Sequence, residues 1–164
     1  MVDSREGALQ TAGSWSREDT IWTDGSRLGN GKVGAVCVWK TPGVWAGRRF
    51  HLGTNKEVFD AEVFAIYQAL IAIVGRKEGG QQHTIFVDST AAIEGVRTDS
   101  IGPGQRFAIA DIETSTRLRA RGNEITIRWV PTHQGAPGNK KADKYVKIAA
   151  DGERPDDAVS DDYR

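Results

Sequence analysis

The sequence predicts an α/β fold: a mixed five-stranded sheet with helices packed on it, in the order βββαβααβα. Three observations carry that expectation. Three β-type runs separated only by short turn signals come first, which implies an antiparallel meander. Strands then alternate with segments of helical period, and strands joined through helices need crossover connections, so the later strands run parallel to the first. A chain of 164 residues, 38% hydrophobic and 27% charged, fits one compact domain with short tails.

The elements follow in order. Residues 1–20 (MVDSREGALQTAGSWSREDT) show little apolar periodicity and read as a linker or tail. The domain occupies 21–150. Its meander is IWTDGSRL, then VGAVCVWK after Gly29-Asn30-Gly31, then VWAGRRFHL after Thr41-Pro42-Gly43. Residues 57 to about 76 form a helix with Phe59, Val63, Ile66, Leu70 and Val74 on one apolar stripe. TIFVD is a buried-type strand, and Ser89 caps the short helix TAAIEGV. Gly102-Pro103-Gly104 breaks the chain before a helix over 105–121 that stops at Gly122. EITIRWV is the fifth strand, PTHQGAPG is a loop, and Asn139 is expected to cap the last helix, KKADKYVKIAA. Residues 151–164 form an acidic C-terminal tail with almost nothing to bury. The tail compositions suit a piece of a longer chain.

Several function classes drop out. No run approaches the roughly 18 consecutive apolar residues of a membrane span, and the N-terminus lacks a signal peptide's apolar stretch, so no membrane partner is expected. Cys37 stands alone, and no Cys/His cluster has zinc-site spacing, which excludes a disulfide scaffold and a structural zinc site. An intracellular location, cytoplasmic or nuclear, and a monomer are expected. The formal charge of zero averages over segments of different sign: the two tails hold ten of the 22 acids and four of the 22 basic residues, leaving 21–150 with 18 basic and 12 acidic, a net of +6. That balance permits a polyanionic partner.

Four carboxylates stand where they need explaining. Asp24 belongs to Thr-Asp-Gly-Ser, which reads equally as a turn. Glu62 projects about 40° from Ile66 and about 20° from Ile73 on the helix, inside the apolar stripe, where a carboxylate is costly unless it is paired, reaches solvent or meets a metal. Asp88 ends an apolar strand where a helix begins, either as a capping acid or at the edge where α/β sheets hold ligands. Asp143 lies about 60° from Val146 and about 20° from Ala150, again on the inward side. Together they read as a carboxylate cluster. Without Cys or His ligands such a cluster suits Mg²⁺ or Mn²⁺, and two such ions about 4 Å apart drive in-line phosphodiester hydrolysis.

Thr23-Asp24-Gly25-Ser26, Asp60-Ala61-Glu62, Val87-Asp88-Ser89 and Trp129-Val130-Pro131-Thr132-His133-Gln134-Gly135, continuing to Gly138-Asn139-Lys140-Lys141-Ala142-Asp143, resemble type-1 ribonuclease H over roughly residues 20–150. The phrases from Asn55 to Glu62 and from Arg121 to Trp129 look most like the ribonuclease H domain attached to reverse transcriptases of LINE-type (non-LTR) retrotransposons, especially fungal ones. The resemblance implies a ribonuclease H-like fold and hydrolysis of the RNA strand of RNA/DNA hybrids, giving 5′-phosphate and 3′-hydroxyl ends. It implies Asp24, Glu62, Asp88 and Asp143 as ligands of two Mg²⁺ ions, with Mn²⁺ a substitute, and His133 as a catalytic helper in proton transfer and product release. Its partners would be the hybrid and a reverse transcriptase domain in the same polyprotein.

Ser26, Asn55, Ser89, Asn139 and Lys140 are the candidate substrate contacts. Arg48 and Arg49, or Lys140, Lys141, Lys144 and Lys147 on the last helix, offer basic grips or solvated faces. Trp22, Trp39, Trp45 and Trp129 are expected in the core. Two residues depart from the family pattern: Thr132 stands where Gly is frequent, and Lys140 where Glu is frequent. The connection at 98–105 is too short for the basic protrusion of some relatives, which implies modest hybrid affinity. The alternative reading is a catalytically weak or inactive nucleic-acid-binding module of the same fold. DNA-cutting integrases and resolvases of similar architecture lack the loop from His133 to Asn139 that leads into Ala142-Asp143.

Overall fold

The computed structural model describes residues 20–41, 44–75, 82–97, 114, 117–131, 137–152 and 158–160. Strands β1 (Thr20–Arg27), β2 (Val33–Thr41) and β3 (Val44–Gly53) form the expected meander, with Trp22 opposite Val38 and Cys37 opposite Arg48. The β1–β2 turn closes because the Gly31 N–H donates to the Leu28 carbonyl at 2.9 Å and the Lys32 N–H to Asn30 Oδ1 at 3.1 Å. Gly31 takes φ +86°, the left-handed region that a side chain would resist.

Helix α1 (Val58–Gly75) follows. Its start is held by the Asp60 carboxylate, which accepts the Glu57 N–H at 2.8 Å and so satisfies one of the donors a helix start leaves open. By length and composition α1 matches a membrane-crossing helix. Asp60 and Glu62 interrupt its apolar run, however, and Val63, Ile66, Leu70 and Ile73 pack on the sheet. The innermost residue of the last turn is Ile73, with Val74 only partly buried.

Strand β4 (Gln82–Val87) runs parallel to β1, and β5 (Glu124–Trp129) parallel to β4. Helix α2 (Thr90–Arg97) is capped as expected: Ser89 Oγ accepts the Ala92 N–H at 3.1 Å. Of the helix expected over 105–121, residues 114 and 117–120 are helical and the rest lies outside the described residues. It ends where expected: the Asn123 N–H reaches the Leu118 carbonyl, the Gly122 N–H reaches Arg119, and Gly122 has φ +81°.

Helix α3 (Pro137–Asp151) starts earlier than expected. Asn139 is therefore not its cap but a buried residue of its first turn, and Pro137 opens the helix, a position at which the missing N–H costs nothing. A sixth strand, β6 (Ala158–Ser160), from the segment expected to be tail, pairs antiparallel with Ala46–Arg48 of β3. An edge strand offers unpaired backbone groups, and this short segment takes them up.

The sheet order is β5-β4-β1-β2-β3-β6, which adds β6 to the five strands expected. One core, with Ile21, Val63, Ile66, Leu70, Ile85 and Ile93, lies beneath α1 and α2. A second, with Trp22, Val36, Val38, Phe86, Tyr145 and Val146, lies beneath α3. Trp22 and Trp45 are core as expected, while Trp39 and Trp129 are partly buried against the first core. Strand β4 thus ends beside Thr23 of the parallel strand β1 in the middle of the sheet while β1 runs on to Arg27, with α1 on one face and α3 on the other.

Candidate active site

Four elements each bring one carboxylate to that place. Asp24 lies within β1, so Asp24-Gly25 is strand and not a turn. Asp88 follows β4 directly, two residues beyond the pair Trp22–Phe86 just as Asp24 is on β1. Between them the Thr23 hydroxyl donates to the Phe86 carbonyl at 3.0 Å, a buried bond that keeps β1 and β4 in register. Glu62 comes from the second turn of α1 and Asp143 from α3.

Two glycines let the helices approach. A Cβ on Gly25 would stand 2.6 Å from the Glu62 backbone nitrogen and 2.8 Å from the Ala61 Cβ, so only glycine allows α1 to lie this close to β1. On the opposite face Gly138 presses against the Trp22 ring, and a Cβ there would collide with it. Trp22 itself stacks on Phe86 with centroids 4.3 Å apart. The sequence reading missed these contacts. Close packing of helix on strand at a glycine leaves no periodic signal.

Asp24, Glu62 and Asp88 each offer a carboxylate oxygen, and these oxygens lie within 4.8 Å of one another. Asp24 and Glu62 are buried, at 6% and 5% exposure. Burial, and next the charges of Asp88 and Asp143, push the Asp24 carboxyl up to about 8 from an ordinary 3.8, against a backbone hydrogen bond from Gly25 and the charge of Lys147. Burial and the charges of Asp88 and Asp24 likewise hold Glu62 well above the usual carboxylate range. Glu62 Oε2 is buried with no hydrogen-bond partner. Buried, mutually repelling hard oxygens with an orphaned lone pair fit a divalent cation: binding one would relieve the repulsion and satisfy Glu62 Oε2. Asp143 stands at the margin, close enough to act on Asp24 electrostatically, with Lys147 Nζ 2.9 Å from its Oδ2. That ion pair was legible as i,i+4 spacing but was read only as part of a lysine-rich face.

Comparison with known proteins decides the family. Residues 16–151 match RNase H. The chain belongs to the RNase H family. It is 30% identical over 136 residues to the Gag-Pol polyprotein of Bovine immunodeficiency virus (strain R29), covering 83% of this chain but only 8% of that polyprotein. To Ribonuclease H of Polaromonas naphthalenivorans (strain CJ2) it is 29% identical over 163 residues, covering 87% of this chain and 91% of that enzyme. Its fold is that of LC11-RNase H1, isolated from compost by a metagenomic approach, with TM-score 0.60, 20% identity, and coverage of 80% of this chain and 94% of that one. LC11-RNase H1 has also been solved in complex with an RNA/DNA hybrid (TM-score 0.58, 19% identity, coverage 80% and 96%). The enzyme class of this RNase H chain is accordingly ribonuclease H, a hydrolase.

The remaining candidate residues spread out around the cluster. Ser26, two residues past Asp24, is half-buried, and Asn55 is exposed just before α1. Ser89 adjoins Asp88 with its hydroxyl oxygen engaged as the cap of α2. Asn139 is buried and Lys140 exposed in the first turn of α3. His133 and Thr132 lie outside the described residues, as does the connection at 98–105. Of the two adjacent arginines only Arg48 is exposed. Arg49 turns inward at 6% exposure with its guanidinium 6.0 Å from the centre of the Tyr145 ring, because neighbouring strand residues face opposite sides. It does not serve as the surface grip that the sequence suggested.

Proposed function

We propose that this RNase H chain hydrolyses the RNA strand of RNA/DNA hybrids with two divalent cations, Mg²⁺ with Mn²⁺ as a substitute, leaving 5′-phosphate and 3′-hydroxyl ends. The observation that carries the reading is the convergence of Asp24, Glu62 and Asp88 from three elements on one point, with an unpartnered carboxylate oxygen at Glu62. Asp24, Glu62 and Asp88 would hold the deeper cation, and Asp24 with Asp143 the outer one. When bound, the cations supply the positive charge that stabilises an in-line phosphoryl transition state. The chain's own part is to position that charge. Burial keeps water from Asp24 and Glu62, and the Gly25 backbone steadies both. His133 is proposed to carry a proton during turnover and product release. Ser26, Asn55, Ser89, Asn139 and Lys140 are proposed to contact the hybrid.

We further propose an intracellular monomer that works beside a reverse transcriptase domain in a retrotransposon polyprotein. The motif phrases support this, as does similarity to one segment of a Gag-Pol polyprotein. Incubation with labelled RNA/DNA hybrid, dsRNA and dsDNA, with Mg²⁺ or with EDTA, tests the activity. The expected result is cleavage of the hybrid's RNA strand in Mg²⁺ alone. Hybrid binding without cleavage would establish the binding-module alternative instead.

A further inference from the structure

The cluster contains a positive charge of its own. Lys147 Nζ lies 2.9 Å from Asp143 Oδ2, one turn along α3, and its charge reaches Asp24 as well. The side chains of the pair are 57% and 33% exposed, so the bond is made where solvent reaches it. A solvent-exposed i,i+4 pair is held only weakly, and lysine's four-carbon stem can swing its ammonium into water at little cost. The carboxylate it covers is the one that completes the outer cation position.

We propose that Lys147 is a built-in competitor for the outer cation: its ammonium neutralises Asp143 when no metal is there and must leave when one binds. The proposal rests on the metal-site reading above. It makes the two positions unequal. The inner position takes Asp24 with Glu62 and Asp88, three carboxylates whose oxygens lie within 4.8 Å of one another, and should fill first. The outer position fills only at the expense of the Lys147–Asp143 pair. Divalent-ion concentration then sets how often both positions are filled, and Lys147 sets the concentration at which that happens.

Calorimetric titration of Mn²⁺ into the metal-free full chain tests this, in the wild type and in Lys147→Met, Lys147→Arg and Asp143→Asn. Thermal melts of each variant confirm folding, and Lys147 is exposed enough for these changes to be tolerated. Lys147→Met keeps the stem and removes the charge. It should tighten the weaker site roughly two- to threefold, the strength of the exposed i,i+4 pair that the metal must displace, and the inner site by less, where the Lys147 charge reaches Asp24. Lys147→Arg retains a cation on Asp143 and should not tighten it, and Asp143→Asn should lose the weaker site alone. Two sites with the weaker one unchanged in Lys147→Met would overturn the proposal and leave the metal site standing. No Mn²⁺ binding in the folded wild type would overturn the metal site, and the proposal with it.

Discussion

At the scale of single residues the centre is a store of electrostatic repulsion. Asp24, its carboxyl raised to about 8, binds a proton in the folded protein over a pH range where the unfolded chain, near 3.8, has lost it. The folded state thus holds more protons between those values, and stability falls as pH rises through that window. In EDTA the melting temperature of the wild type should therefore drop between about pH 4 and pH 8 relative to Asp24→Asn, which has no proton to lose there. Melts of both proteins across that range measure the difference, and parallel curves would refute the raised carboxyl. The same Asp24→Asn change, or Asp88→Asn, should abolish hybrid cleavage while the fold persists, read by gel assay beside circular dichroism. His133→Ala should slow turnover by roughly 10²-fold, the contribution of a positioned acid-base group, with Mn²⁺ binding intact by calorimetry. Residue types foretold the meeting of Asp24, Glu62 and Asp88, since acids in apolar or strand-end settings are costly without a partner or a ligand. They did not foretell that Arg49 would turn inward or that Lys147 would pair with Asp143.

At the scale of elements, the site depends on how closely the helices lie on the sheet. Gly25→Ala places a methyl group 2.6 Å from a backbone nitrogen of α1 that cannot move without the helix. Overpacking of this kind costs about 1–3 kcal/mol, and here it also pushes Glu62 away from Asp24. Expected outcomes are a lowered melting temperature and weaker Mn²⁺ binding in the same variant. Metal affinity unchanged in the folded variant would show that α1 is not the element that sets the cluster. Periodicity and caps identified α1, α2 and the meander well, because those signals lie within a few residues of each other. The start of α3 was misjudged for the same reason: Asn139 has the chemistry of a cap, but packing of Gly138 on Trp22 draws the helix start back to Pro137.

For the whole molecule, charge distribution matters more than its sum. The net of +6 over residues 21–150 is offset by acidic segments on either side, so binding to a polyanion should respond to those segments through long-range repulsion. Removing residues 1–19, which carry four acids and two arginines, should raise hybrid affinity at low salt, with the gain vanishing as salt screens it. Fluorescence anisotropy with the cleavage-deficient Asp24→Asn protein at several salt concentrations reads both effects, and an equal gain at all salts would exclude an electrostatic origin. The sequence by itself determined the fold class, the order of the first five strands and the helices between them, and the resemblance to ribonuclease H with the four acids it singles out, because period, turn chemistry and motif spacing act between near neighbours in the chain. Only the tertiary structure decided that oxygens of Asp24, Glu62 and Asp88 lie within 4.8 Å of one another, that Glu62 Oε2 is left without a partner, and that β6 closes the β3 edge. Distance, desolvation and strand pairing between residues far apart in sequence arise from packing, and a linear pattern does not encode them.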